Sequence, residues 1–201
     1  MPSTEALAEP CSDHSYNKDQ QARMLALVRY TIAQRLGLAS DWAQEFAERP
    51  KASWWQQPAA TFVTLTLDGQ LRGCIGCLEA YQSLQEDLQQ NAISAAFRDY
   101  RFPPLTQSEF RDITVEISVL TPSQALAAES EEQLLAQLRP GIDGLILQDG
   151  QFKATFLPQV WQQLPEPEEF VHRLKQKAGL AVDHWSQSMQ CSVYQVQEIH
   201  E

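Results

Sequence analysis

Residues 71–77 (LRGCIGC) bring together two thiols, one guanidinium and two glycines that alternate with larger residues. A glycine inside a strand commonly marks a bulge or a place where another group comes close to the backbone. That group is either a ligand or a crossing helix, and helix packing is the more common reason. The segment is therefore the first candidate for a functional site.

Cys74 and Cys77 form a C-x-x-C pair, which has three interpretations. A redox dithiol needs one sulfur near a helix N-terminus inside a βαβ unit, and no such unit surrounds the pair. A zinc site needs a second pair of ligands, and Cys11 and Cys191 stand alone in the sequence. The pattern therefore favours a small buried hydrophobic residue beside an incidental second cysteine.

Cys74 could instead be a nucleophile, which requires a general base within hydrogen-bonding distance. The histidines of the chain are all distant in sequence: His14, His172, His184 and His200. Only the fold could bring one of them to the thiol. A single cysteine without a neighbouring base more often has a structural role.

Three charged residues are candidates for ligand binding: Arg72, Asp99 and Arg101. A strand arginine is most often a solvated rim residue, but Arg72 could pair with an acid such as Asp99 or Glu116, or bind a carboxylate or phosphate in a bidentate manner. Asp99 and Arg101 follow a predicted helix and precede two prolines. They either fix the turn by local hydrogen bonds or line a pocket, and Phe102 is predicted to pack beneath the turn.

The elements around this segment can be predicted from periodicity and capping. Asn17 or Asp19 can start a helix that runs to Leu36, and residues 83–98 carry a second apolar helical stripe. Between them, two β-forming runs at 62–67 and 71–75 flank Asp68-Gly69, a strong hairpin signal. A short helix is predicted at residues 41–48.

The second half of the chain also alternates between predicted strands and helices. Residues 113–119 alternate as a half-buried strand, Asp149-Gly150 predicts a second hairpin over 144–156, and a helix is predicted over 167–178. Thr106 with Glu109 matches a capping box, Ser130 starts a short helix, and Cys191, Val193 and Val196 are predicted to lie in one last strand. The pattern predicts an α+β fold with a mostly antiparallel or mixed sheet packed with helices. Residues 1–16 are predicted to be a flexible tail and 17–201 a single domain.

Composition limits the classes of function. The net charge is −11, with 15 Lys and Arg against 26 Asp and Glu, which argues against nucleic-acid binding without a partner. The densest basic cluster is Arg173, Lys175 and Lys177, near a predicted helix end.

No stretch approaches the roughly 18 consecutive apolar residues of a membrane span, and the first residues do not resemble a secretion signal. A cytoplasmic protein without a membrane anchor is expected.

Several segments, taken together and in order, resemble the AMMECR domain family from about residue 20 to 198. The matching segments are 62–65, 71–76, 101–105, 116–120, 141–145, 156–161 and 177–180. The resemblance implies a larger sheet-and-helix part with a smaller attached subdomain. It also implies partners, a Memo-like protein and a radical SAM protein, as in the AmmeMemoRadiSam system, but no established reaction. Relatives commonly have a small hydroxyl residue at the position of Cys77.

We therefore predict a binding or adaptor component that works with Memo-like and radical SAM partners. The alternative is a cysteine-dependent or anion-binding enzyme, with Cys74 as the catalytic residue and ligand contacts from residues on the family motifs. Those residues are Arg72, Gly73, Gly76, Asp99 and Arg101. An RNA-related processing or modification factor is a third hypothesis. No metal or cofactor is predicted, and Trp54, Trp55, Trp161 and Trp185 are candidate anchors for a partner.

Overall fold

Residues 15–38 and 53–201 are described by the computed structural model of the chain. The helix predicted at 41–48 lies outside these residues, as do Cys11 and His14. Most of the predicted N-terminal tail is also outside them. At its inner end, the Tyr16 N–H donates to the side chain of Gln197 at 2.8 Å, which attaches this residue to the last strand.

Four helices are present in the described part of the chain: α1 Lys18–Arg35, α2 Leu84–Phe97, α3 Glu131–Gln137 and α4 Pro167–Ala178. The predicted start signals are confirmed. Asn17 caps α1 and Ser83 caps α2, each in a reciprocal capping box. Gly179 ends α4 with φ 82°, a left-handed conformation that glycine adopts without strain. Short 3-10 turns occupy Ser53–Gln56, Glu109–Arg111 and Pro158–Gln162.

The described strands are β1 Pro58–Leu67, β2 Gln70–Gly76, β3 Gln82–Ser83, β4 Ile113–Leu120, β5 Gln124–Leu126, β6 Gly144–Asp149, β7 Phe152–Phe156, β8 Gln190–Tyr194 and β9 Val196–His200. They form two sheets with entirely antiparallel pairing. The larger sheet has the order β2-β1-β4-β9, with β3 also paired to β1, and the smaller has the order β5-β8-β6-β7. Both predicted hairpins are confirmed, at the β1–β2 and β6–β7 turns.

Each sheet has its own core. On the larger sheet, Val63 and Ile117 are completely buried under α1 and α2, against Met24 and Leu88. On the smaller sheet, completely buried side chains come from β6, α3 and α4: Leu145, Leu147, Leu134, Phe170, Val171 and Leu174. Two antiparallel sheets with helices packed on them confirm the predicted α+β class.

The prediction of one final strand is wrong. Cys191 and Val193 lie in β8 of the smaller sheet, whereas Val196 begins β9 of the larger sheet. The chain changes sheets at Gln195, whose N–H donates to the Thr121 hydroxyl and whose carbonyl accepts from the Thr121 N–H, each at 2.9 Å. No glycine, proline or other turn residue marks this point, so the sequence pattern did not show the break.

The four tryptophans in the described residues mainly serve packing. Trp54 stacks on Trp55 with ring centroids 4.1 Å apart, and Trp161 stacks on Phe170 at 3.7 Å. The Trp185 indole donates to the Glu129 carbonyl at 3.0 Å. These contacts leave an exposed tyrosine, described below, as a better candidate anchor.

The basic cluster predicted near the end of α4 does not form a shared surface. Arg173 pairs with Glu169, and Lys177 donates to the Thr155 carbonyl at 3.0 Å. Lys175 is completely buried and pairs with Glu131. Within residues 15–38 and 53–201, none of the helices has the length and apolar character required to cross a bilayer.

Candidate functional site

Arg72 is the extra residue of a β-bulge. Leu65 pairs with Gly73 and Thr66 pairs with Leu71, so Arg72 has no partner on β1. A bulge changes the direction of a side chain, and this one carries Arg72 to Glu109, with N–O distances of 2.9 and 3.2 Å. Arg72 is 7% exposed, so the predicted solvated position is wrong. The alternative that Arg72 pairs with an acid is confirmed, but the acid is Glu109 and neither Asp99 nor Glu116.

The two glycines of the segment are required by close packing. A Cβ on Gly73 would lie 2.2 Å from the Ala95 carbonyl oxygen of α2. A Cβ on Gly76 would lie 2.3 Å from the Thr61 carbonyl oxygen and 2.4 Å from the Phe62 ring. The helix-packing alternative therefore accounts for Gly73, and contact with β1 accounts for Gly76.

Asp99 and Arg101 hold the backbone of Cys74, and we call this arrangement the clamp. The buried Asp99 carboxylate accepts from the Cys74 N–H at 2.9 Å, and the Arg101 guanidinium donates to the Cys74 carbonyl at 3.1 Å. Arg101 also donates to both carboxylate oxygens of Asp99, at 2.9 and 2.6 Å. Hydrogen bonds from Arg101 hold the pKa of Asp99 well below its usual range. The clamp thus satisfies the outer edge of β2 at Cys74.

A second ion pair, between Arg72 and Glu109, lies beside the clamp. Hydrogen bonds from Arg72 lower the pKa of Glu109 to about 2. The Thr106 hydroxyl also donates to Glu109 at 2.8 Å, so the predicted capping box is part of this pair. Phe102 is half-buried, with the guanidinium carbons of Arg72 and Arg101 at 5.9 and 5.5 Å from its ring centroid. These motif residues therefore bind one another tightly and fix the turn after α2.

The thiol of Cys74 faces away from the helices. Its Sγ accepts a hydrogen bond from the Thr64 hydroxyl at 3.3 Å. The strand register continues this row across the sheet, from Thr64 to Glu116 and from Glu116 to His200. The half-buried thiol therefore lies at one end of a polar row on the open face of the larger sheet.

Each described histidine lies beside a carboxylate, and its partner is not Cys74. His172 is near Glu131, His184 is near Asp149, and His200 is near both Glu116 and Glu198. His200 shares the polar row with Cys74, but three strand spacings of about 4.8 Å each separate them. Among residues 15–38 and 53–201, the histidines are therefore not arranged as a base for this thiol.

Cys77 belongs to a different environment from Cys74. Its thiol donates to the completely buried carboxylate of Asp87 at 2.8 Å. The same carboxylate accepts from the Thr61 N–H at 2.8 Å and from its hydroxyl at 2.6 Å, and from Asn91 and Gln82 at 3.0 and 2.9 Å. Burial, followed by the contact with Asp87, raises the pKa of the Cys77 thiol to about 11. The C-x-x-C cysteines are free thiols with separate partners.

Alkylation should detect this protonated thiol directly. At pH 8 we expect iodoacetamide to modify Cys77 in the folded protein about a hundredfold more slowly than in the unfolded chain. The reason is that a thiol with a pKa of about 11 contains, at pH 8, only about one hundredth of the thiolate of an ordinary cysteine, and the thiolate is the reactive form. Peptide mass spectrometry at successive times gives the rate, which should still be rising at pH 10.

The same sample denatured in guanidinium chloride is the control, since it contains the same cysteine without its neighbours. Equal rates for Cys77 in the folded and denatured samples at pH 8 would contradict a strongly protonated thiol.

A further polar cluster lies at the end of the smaller sheet. Hydrogen bonds from Ser188, His184 and Ser186 lower the pKa of Asp149 to about 2. Both hydroxyls donate to Asp149, at 2.6 and 2.8 Å, as part of the same cluster as the imidazole. A nucleophilic triad instead requires the hydroxyl to donate to the histidine. The arrangement fixes the loop after α4 onto the β6–β7 turn.

Tyr100 stands at the tip of the turn that the clamp holds. It is 95% exposed, although its neighbours Asp99 and Arg101 are hydrogen-bonded to each other and to Cys74. A tyrosine on a fixed turn loses little conformational freedom when a partner covers it. Sequence reasoning did not select Tyr100, and its position between two predicted site residues was the available signal.

Comparison with known proteins places this architecture in one family. The AMMECR1 family model matches residues 25–199. A protein of Methanothermobacter thermautotrophicus is 44% identical over 130 residues, which cover 64% of this chain and 68% of that protein. Protein MJ0810 of Methanocaldococcus jannaschii is 42% identical over 119 residues, 59% of each chain.

A solved structure shares the fold. The crystal structure of uncharacterized protein PH0010 from Pyrococcus horikoshii aligns with a TM-score of 0.72 and 30% sequence identity, and the alignment covers 88% of both chains. The family match spans both sheets and the clamp between β2 and the turn after α2. The chain belongs to the AMMECR1 family.

Proposed function

We propose that this protein is a binding component that docks a Memo-like protein and a radical SAM protein. The observation that carries this proposal is the fixed, exposed turn at Tyr100. The charges of the neighbouring motif residues are used within the chain, by Arg72 with Glu109 and by Arg101 with Asp99. Such pairs support a role in shaping a surface.

Tyr100 has the properties of an interface anchor. Tyrosine is enriched among the residues that dominate binding energy, because its ring buries a large area and its hydroxyl can still form a hydrogen bond. Leu71, 43% exposed, adds apolar surface on β2, the strand that the clamp holds at Cys74. We infer that a partner covers the ring of Tyr100 and contacts the edge of β2.

Anaerobic co-elution tests this function. The chain is mixed with a purified Memo-like protein and a purified radical SAM protein, and the mixture is separated by size-exclusion chromatography. We expect a complex with at least one of them. Tyr100→Ala should weaken that complex about tenfold or more, since loss of an interface anchor costs about 2 kcal/mol.

Tyr81→Ala is the matched control. Tyr81 is also exposed, but it lies before the N-terminus of α2 whereas Tyr100 follows its C-terminus. A helix of this length separates the two tyrosines by roughly 20 Å. Repeated absence of any complex, or equal loss in both variants, would reject docking through Tyr100.

A cysteine-dependent reaction is the second candidate, and the Thr64–Cys74 contact supports it. The Thr64 hydroxyl donates to the Cys74 sulfur and fixes its orientation on the open face of the larger sheet, where a substrate can reach the half-buried thiol. In this candidate Asp99 and Arg101 hold the Cys74 backbone beside the substrate. Arg72, Gly73 and Gly76 shape the segment through their contacts with Glu109, α2 and β1. Cys74→Ser distinguishes the two functions in the co-elution experiment. An adaptor keeps its complex with the partner, whereas an enzyme that forms a covalent bond through Cys74 loses any complex that depends on the thiol.

The free thiols of the described cysteines support a cellular location. Cys74, Cys77 and Cys191 are free thiols. Free thiols persist in reducing compartments, which supports a cytoplasmic location.

A further inference from the structure

A cleft of about 790 Å³ lies between the two sheets, away from the clamp. The beginning of β1 and residues 77–81 form one wall, Ile146 and residues 153–155 form the other, and the end of β4 with residues 121–123 closes the cleft. Pockets for small organic ligands have volumes of roughly 300–1,000 Å³. The cleft therefore has the size of a ligand site.

The lining of the cleft is mainly apolar and composed of short side chains. Ala59, Ala60, Leu120 and Ala154 contribute to it, and they are all buried in the fold. The Cys77 thiol keeps its proton and donates a hydrogen bond to Asp87, so it adds a neutral sulfur to this surface. An apolar lining of this kind favours an apolar ligand body.

Lys153 is the only lysine or arginine among the residues that line this cleft. Its ammonium pairs with Glu79, whose side chain is 73% exposed, on the opposite wall. Because an exposed ion pair is only weakly stabilising, a competing carboxylate can displace Glu79 at little cost. The Lys153 ammonium group therefore already has room for one carboxylate, which a ligand could supply in place of Glu79.

We propose that this cleft binds a small, largely apolar molecule that carries one anionic group. The apolar body packs against Ala60, Leu120 and Ile146, and the anionic group replaces Glu79 at the Lys153 ammonium. This site is independent of the docking surface at Tyr100.

The probe 8-anilinonaphthalene-1-sulfonate tests the site, because it combines aromatic rings with one sulfonate. We expect saturable fluorescence enhancement, and calorimetry should give one molecule bound per chain. Lys153→Met should weaken binding about tenfold, the effect of losing one charge-assisted hydrogen bond. Glu79→Gln should strengthen binding a few-fold, since it removes the competing carboxylate.

Ser123→Trp tests the position of the site without entering the core. Ser123 is exposed and lines the cleft, so an indole there should fill the cavity and reduce binding at least tenfold. Circular dichroism checks that each variant is folded, which the exposure of all three positions favours.

Arg173→Met and Glu169→Gln are the matched controls, because they break an exposed ion pair on α4 that does not line the cleft. Neither should change the affinity. The proposal is overturned if the probe does not saturate, if Ser123→Trp binds it as the native chain does, or if the Lys153 and Glu79 variants match the controls.

Discussion

Replacing Gly73 with alanine should lower the melting temperature by roughly 10 °C. The new Cβ would lie 2.2 Å from the Ala95 carbonyl oxygen, and a backbone atom of a packed helix cannot rotate away as a side chain can. Relief requires α2 to move off β2, which disturbs the buried contacts of Leu88 and Ala92. Overpacking of this severity costs about 3 kcal/mol, and each kcal/mol lowers the melting temperature of such a chain by about 2–4 °C.

Gly69→Ala provides the comparison. A Cβ there meets nothing within 4 Å, but the residue has φ +74° in the β1–β2 turn. Its replacement should cost only about 1 kcal/mol, from backbone strain alone. Thermal unfolding followed by circular dichroism measures both variants, and equal melting temperatures would show that the contact between Gly73 and α2 is not tight in solution.

Replacing Asp99 with alanine should cost about 2–4 kcal/mol at pH 7. The change leaves the Cys74 N–H at the edge of β2 without its acceptor and leaves Arg101 without its carboxylate. A buried donor that loses its partner costs about 1–3 kcal/mol, and the charged pair adds to this. Urea unfolding at constant temperature measures the difference in the free energy of unfolding.

The effect of this substitution should depend on pH. Arg101 depresses the pKa of Asp99 in the folded state, so the carboxylate stabilises the fold fully above its unfolded pKa, about 4. That stabilisation is lost as the pH falls towards the folded pKa, so the difference between native and Asp99→Ala proteins should shrink below pH 4. The exposed Asp112 serves as the control, and Asp112→Asn should be nearly neutral at pH 7. A difference that stays constant from pH 7 to pH 2 would contradict an ionic role for Asp99.

The local elements could be predicted because their signals lie within a few residues. The caps at Asn17 and Ser83 and the turn at Asp68-Gly69 use side chains and dihedral angles of the element itself. The local hydrogen bond predicted between Asp99 and Arg101 is confirmed for the same reason. Alternation in β4 was sufficient to identify its buried face.

The long-range partners could not be predicted from these signals. The Arg72 side chain reaches Glu109 because one extra residue in β2 alters the direction of that side chain. The residue pattern does not predict the strand register that creates this bulge. Asp99 was identified, but its acceptance of the Cys74 N–H depends on how α2 crosses β2. The cleft between the sheets likewise arises only when the two sheets are assembled.

The change of sheet at Gln195 has a consequence for biosynthesis. β4 is the central partner of both β1 and β9, yet β9 follows all the strands of the smaller sheet along the chain. A nascent chain on the ribosome therefore exposes one side of β4 until residues 196–200 have emerged. An unpaired strand edge in a partly made chain is prone to association with other chains. We therefore expect chains that are released before residues 196–200 are made to aggregate more than the full chain.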